Sequence, residues 1–106
     1  MIDQRRSPRF RTRFDALISS GREEGAGALA EISYSGARVE STSTQPPLGT
    51  RVTLYVFVVP VSPFELSGRV ARHTETGFAV TYDLFDPDIR RLVDDVAALV
   101  HAPHAD

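Results

Sequence analysis

Apolar and polar positions alternate with a period of two through most of the chain, and the period lengthens to that of a helix only near the end. Phe14, Ala16 and Ile18 alternate with Asp15, Leu17 and Ser19, which predicts a first strand over 14–19. Gly27 to Ile32 and Ala37 to Glu40 read as the second and third strands, and a polar turn, Ser20 to Gly25, precedes them. Ser41 to Gly49 holds Pro46-Pro47 and cannot continue a sheet. Thr50 to Val59 gives the strongest strand, with Val52, Leu54, Val56 and Val58 on one face and Thr53, Tyr55, Phe57 and Val59 on the other. Being largely apolar on both faces, it should be covered on both. Phe64 to His73 and Phe78 to Tyr82 follow as a hairpin about Thr74 to Gly77, and Gly68 in mid-strand suggests a bulge or a sharp bend.

After Tyr82 the pattern changes. Asp86-Pro87-Asp88 offers an N-cap, a proline at the first helical position and an acid near the positive end of the helix. Ile89, Leu92, Val93, Val96, Leu99 and Val100 then form one apolar stripe, and Pro103 stops the helix. The stripe is expected to cover the second apolar face of the sheet. Six short strands and one helix predict an all-β fold, an antiparallel barrel closed or capped by the helix. The organisation expected is a flexible arm over 1–13, one barrel-plus-helix domain over 14–100 and a disordered tail over 101–106.

Charge sharpens this division. All twelve basic residues are arginine. Residues 1–13 carry five of them against Asp3, a balance of +4, whereas residues 14–106 carry seven against thirteen acids, a balance of −6. An acidic body argues against wrapping long nucleic acid, which needs many distributed phosphate contacts. A local arginine patch still suits a small anion, because guanidinium groups make bidentate contacts to phosphate and to guanine edges and stack on flat rings. A small nucleic-acid-binding barrel using the arm is the weakest of the functional readings.

Other chemistry is sparse. The chain has no cysteine, so disulfides and cysteine-based sites are excluded. The longest apolar run, Leu54 to Val61, is far below the roughly 20 residues of a membrane span, and no apolar stretch follows the basic start as in a secretory signal. A cytoplasmic protein with no membrane insertion is expected. No Gly-x-Ser-x-Gly, Gly-x-x-x-x-Gly-Lys or His-Glu-x-x-His is present, and a barrel this small is filled by side chains, so no enzyme is expected. His101, His104 and Asp106 sit on a proline-broken end, where a rigid metal shell is not expected.

Two short segments remain. Arg5-Arg6-Ser7-Pro8-Arg9 gives Arg-x-x-x-Arg in the arm, and Glu31-Ile32-Ser33-Tyr34-Ser35-Gly36 follows the second strand. In these segments, and in the order of strands and helix, the chain resembles the PilZ family of bacterial cyclic di-GMP receptor domains. That family carries Arg-x-x-x-Arg and Asp/Asn-x-Ser-x-x-Gly at these places. The resemblance implies a six-stranded antiparallel barrel with a C-terminal helix, and cyclic di-GMP as ligand rather than any cofactor. It implies that Arg5 and Arg9, with Arg6 in support, clamp phosphates and guanine edges. Glu31 would accept from a guanine N–H, and Ser33 would donate to phosphate or fix the turn. Gly36 would let the backbone approach the ligand or adopt positive φ. Tyr34 could pack or stack.

Arg9 to Arg13 meets the same spacing; the doubled Arg5-Arg6 and Pro8 before Arg9 favour the earlier register. Glu31 stands where the family has Asp or Asn, and its extra methylene moves the carboxylate by about 1.5 Å. An interaction module of the same fold that no longer binds the nucleotide is therefore the alternative. The partner implied is a separate effector protein in motility or exopolysaccharide regulation. A homodimer through Tyr55, Phe57 and Val59 is a further possibility if the helix leaves that face open.

Overall fold

The computed structural model describes residues 9–58, 63–82 and 87–101, without the side chains of Pro87 and His101. Six strands run in chain order: β1 (Arg9–Ser19), β2 (Glu24–Ser33), β3 (Gly36–Glu40), β4 (Arg51–Phe57), β5 (Phe64–His73) and β6 (Phe78–Tyr82). They close into an antiparallel barrel in the order β1-β2-β3-β6-β5-β4, and β4 returns to pair with β1 from Asp15 opposite Phe57 to Ser19 opposite Thr53. The helix α1 (Pro87–His101) follows. The all-β fold with one terminal helix is as expected. No described helix is long and apolar enough to cross a membrane.

The first strand begins at Arg9, five residues before the predicted start, so residues 9–13 belong to the barrel and not to an arm. Phe10 and Phe14 pack against the core while Arg9, Arg11 and Arg13 are exposed, which is the alternation of a wall strand. The expected flexibility of residues 1–8, the tail beyond His101, the Asp86 cap and Val59 all lie outside the described residues.

The core is the barrel interior, with Leu29, Ile32, Val39, Leu54, Leu66 and Phe78 each fully buried. Val93 and Val96 of α1 join it, and Ile89, Leu92 and Leu99 pack at its margin beside Phe10, Phe14, Tyr34 and Phe64. These four come from the start of β1, the turn after β2 and the start of β5, all at one end of the barrel; α1 touches β1 and, through Asp94 and Arg90, Tyr34, so the helix plugs that end. It does not cover the outer apolar face as expected. Tyr55 and Phe57 remain 38% and 41% exposed, with Leu17 opposite Tyr55 at 50%. The reason is geometric: once the sheet closes, only its inner face and its open ends need apolar cover.

Gly68 does not sit at a bulge. It pairs with Val52 and Tyr82, and a Cβ there would lie 2.3 Å from the Thr81 carbonyl oxygen, so close strand approach demands glycine. The irregularities fall elsewhere: at Ala30 between β2 and β3, at Thr12 and Arg13 between β1 and β2, and at Ala71 between β5 and β6.

Candidate ligand-binding site

The bulges determine which side chains reach the outer wall. Leu29 points inward opposite Val39, and in an unbroken strand Glu31 would share its face. Ala30 is the extra residue, so Glu31 turns outward opposite Arg38 and Arg11, and Ile32 turns inward to complete burial. Ala71 does the same for β5. Val70 is buried opposite Val80, and the added Ala71 puts Arg72 outward opposite Ala79. Two alanines thus aim a carboxylate and a guanidinium at one patch of surface.

The turn between β2 and β3 builds the middle of that patch. Ser33, only 8% exposed, accepts through its Oγ from the amides of Ser35 at 3.3 Å and Gly36 at 3.2 Å. Its own proton has the Gly36 carbonyl at 3.2 Å or the Ser35 hydroxyl at 3.3 Å within reach. The Tyr82 amide then donates to the Ser35 carbonyl at 3.0 Å and ties the turn to β6. Ser33 therefore fixes the turn, the second of its two expected roles. Gly36 does not adopt a positive φ, which among the described glycines only Gly21 and Gly49 do. A Cβ at Gly36 would lie 2.2 Å from the Val80 carbonyl oxygen, so the close approach that requires glycine is to β6.

Around this turn lies a surface depression of about 180 Å³. Arg9, Glu31, Ser33 and Gly36 line it, with Arg38, Arg72 and Thr81 completing the wall. The strands bring together residues far apart in sequence, because Arg9 lies opposite Ser33 and Gly36 opposite Thr81. Arg9 lines the depression and Arg13 does not. Arg5 and Arg6 lie outside the described residues. The guanidinium of Arg38 is 3.8 Å from Glu31 through Nε and 3.5 Å from Glu40 through Nη1. Both pairs are longer than a good hydrogen bond and partly exposed, so each holds its carboxylate loosely. Three guanidiniums facing one carboxylate leave the depression electropositive in an otherwise acidic body.

Arg38 and Arg72 escaped the sequence reading because no motif contains them. For Arg72 the one signal is the broken alternation Val70-Ala71-Arg72, where a small residue follows an inward one; Arg38 is simply the outward residue of the regular Ala37-Arg38-Val39-Glu40 alternation.

Tyr34, between the two serines of the turn, reaches away to α1. Its hydroxyl donates to Asp94 Oδ1, and the Arg90 guanidinium stands over its ring, 4.7 Å from the centroid. The hydrogen bond to Asp94 is the main reason that the phenol pKa lies above its ordinary value, with burial and the Asp94 charge adding and Arg90 opposing. Asp94 is thus engaged with the barrel and not merely solvated with Asp95.

The profile of the PilZ domain matches residues 3–98. No curated protein is similar enough to count as a relative. Among solved structures, the Bacillus subtilis inhibitor of motility MotI/DgrA superposes with a TM-score of 0.71 at 14% identity, over 99% of this chain and 55% of that one. The chain thus spans about half the length of that protein, and at such identity the likeness speaks for the fold alone. The barrel order, the plugging helix and a profile match running over nearly the whole length agree: this chain belongs to the PilZ domain family.

Proposed function

We propose that this domain is a receptor for cyclic di-GMP, which lies against the outer barrel wall at the β2–β3 turn. The observation that carries this reading is the convergence of Arg9, Glu31, Ser33 and Gly36 on one depression together with Arg38 and Arg72. A doubly anionic ligand with two guanines needs several cationic forks, some for phosphate oxygens and some for guanine edges or faces. Arg9, Arg38 and Arg72 supply these from three different strands, so their spacing is set by the barrel. At about 180 Å³ the depression is smaller than a typical small-molecule pocket, so it seats part of the ligand. The rest lies on the wall, covered by the segment that carries Arg5 and Arg6.

Glu31 acts as acceptor for a guanine N–H, and its loose contact with Arg38 is exchanged for that bond. Ser33 and Gly36 serve indirectly, by holding the turn in shape. Ordering of the residues before Arg9 over the ligand is the output, read by a separate effector protein in motility or exopolysaccharide control.

A second reading, an interaction module without the nucleotide, draws on Glu31 itself, which faces Arg38 and is a methylene longer than the family's residue. Calorimetric titration of cyclic di-GMP into the parent and into Glu31→Asp separates the two. Comparable binding by both supports the receptor. Binding that appears only in Glu31→Asp identifies a decayed site.

A further inference from the structure

A second, larger cleft of about 830 Å³ opens where the β1 bulge meets the end of α1. Its polar side carries Arg11, Arg13 and Arg38 against a single acid, Glu40. Its apolar side is made by Phe14, Val58 and Leu99, three side chains from β1, the residue after β4, and the helix. The volume is that of a small-molecule pocket, and the lining has the usual character of one, an apolar floor with a few placed charges.

Two features ask for an occupant. Arg11 and Arg13 have no ion-pair partner among the described residues, and Glu40 sits beside Arg38. Arg38 is already met by Glu31 and Glu40, so the unrelieved charge on the rim is that of Arg11 and Arg13, which repel each other and are relieved by an anion. The apolar floor excludes a bare inorganic ion as the best fit, because that ion would leave Phe14 and Leu99 wet. We infer that this cleft binds a small amphipathic anion, a carboxylate or phosphate head on a medium-length apolar chain. The head meets Arg11 and Arg13, and the chain lies over Phe14, Val58 and Leu99. The site is separate from the nucleotide depression, with which it shares only the Arg38 wall.

The test is a titration of the whole chain with dodecanoate and with dodecyl phosphate, each below its micelle concentration and without nucleotide, beside acetate and inorganic phosphate. Saturable one-to-one binding of either long-chain anion is expected, the better one identifying the head, with the bare anions at least tenfold weaker. Arg13→Ala should weaken it about tenfold, as loss of one charge-assisted contact does. Leu99→Trp should block it, provided its melting curve matches the parent's, and Arg22→Ala, in the exposed β1–β2 turn, should leave it unchanged. Should Leu99→Trp fail to fold, Arg13→Glu serves in its place. No saturable binding, binding indifferent to Arg13, or acetate binding as well as dodecanoate would overturn the inference. Preference for an acidic peptide over both long-chain anions would overturn it in favour of a protein partner.

Discussion

Ser33 and Gly36 make up most of the second motif, yet both direct their chemistry at the protein itself. Ser33 holds two amides of its own turn, and Gly36 leaves room for the Val80 carbonyl. Gly36→Ala is therefore expected to cost about 3 kcal/mol of folding stability, as overpacking against backbone does. Urea denaturation checks this; an unchanged midpoint with lost ligand binding would mean that the glycine faces ligand instead. Tyr82 offers a second test. Its hydroxyl is buried with no hydrogen-bond partner among the described residues, and burial raises its pKa. Tyr82→Phe should be more stable by about 1 kcal/mol near pH 8. Above about pH 10 the unfolded chain gives up this proton while the folded chain keeps it. The parent then loses stability by up to about 1.4 kcal/mol per pH unit, and the variant escapes that loss. Denaturation midpoints that differ by the same amount at pH 8 and pH 11 would contradict this account. At this scale Arg9 and Glu31 were legible from their motifs. Arg72 was not, since a bulge decides its face and alternation alone cannot place one; Arg38 alternates outward in a regular strand, but only the pairing of β3 with β2 and β6 brings it to the site.

At the scale of elements, the succession of six strands and the helix along the chain could be read from periodicity, because one buried face imposes a period of two and one buried stripe a period of 3.6. The start of β1 could not. Arg9, Arg11 and Arg13 suggest an arm by their like charge, but they are the outward half of an alternation whose inward half includes Phe10 and Phe14, with Arg11 in register with Glu31 on β2. The place of α1 was equally hidden, since its stripe fits a sheet face and a barrel end alike. What joins it to the site is Tyr34, held by Asp94 and Arg90. Tyr34→Ala removes a hydrogen bond and a cation–π contact between the turn and α1. Amides of α1 should then exchange about fivefold faster, while those of β4 and β5 stay unchanged. Exchange that rises equally everywhere would show global destabilisation instead of a local clamp.

For the whole molecule, closure of the sheet governs where ligands can go. The interior is filled by Leu29, Leu54, Leu66 and Phe78, so the receptor reading places recognition on the outer wall, where bulges and cross-strand pairs set the pattern of charge. On that wall the arginines of β1, β3 and β5 make positive ground in a body that is otherwise acidic. The receptor reading predicts that residues outside both motifs are as necessary as those within them. The most direct measurement is calorimetric titration of cyclic di-GMP into the parent chain and into Arg72→Ala, whose position on the wall follows only from the Ala71 bulge. Saturable binding by the parent is expected, with affinity at least about tenfold weaker in the variant, as for a lost charge-assisted contact. Absence of binding heat in the parent, or equal affinity in the two, would contradict it.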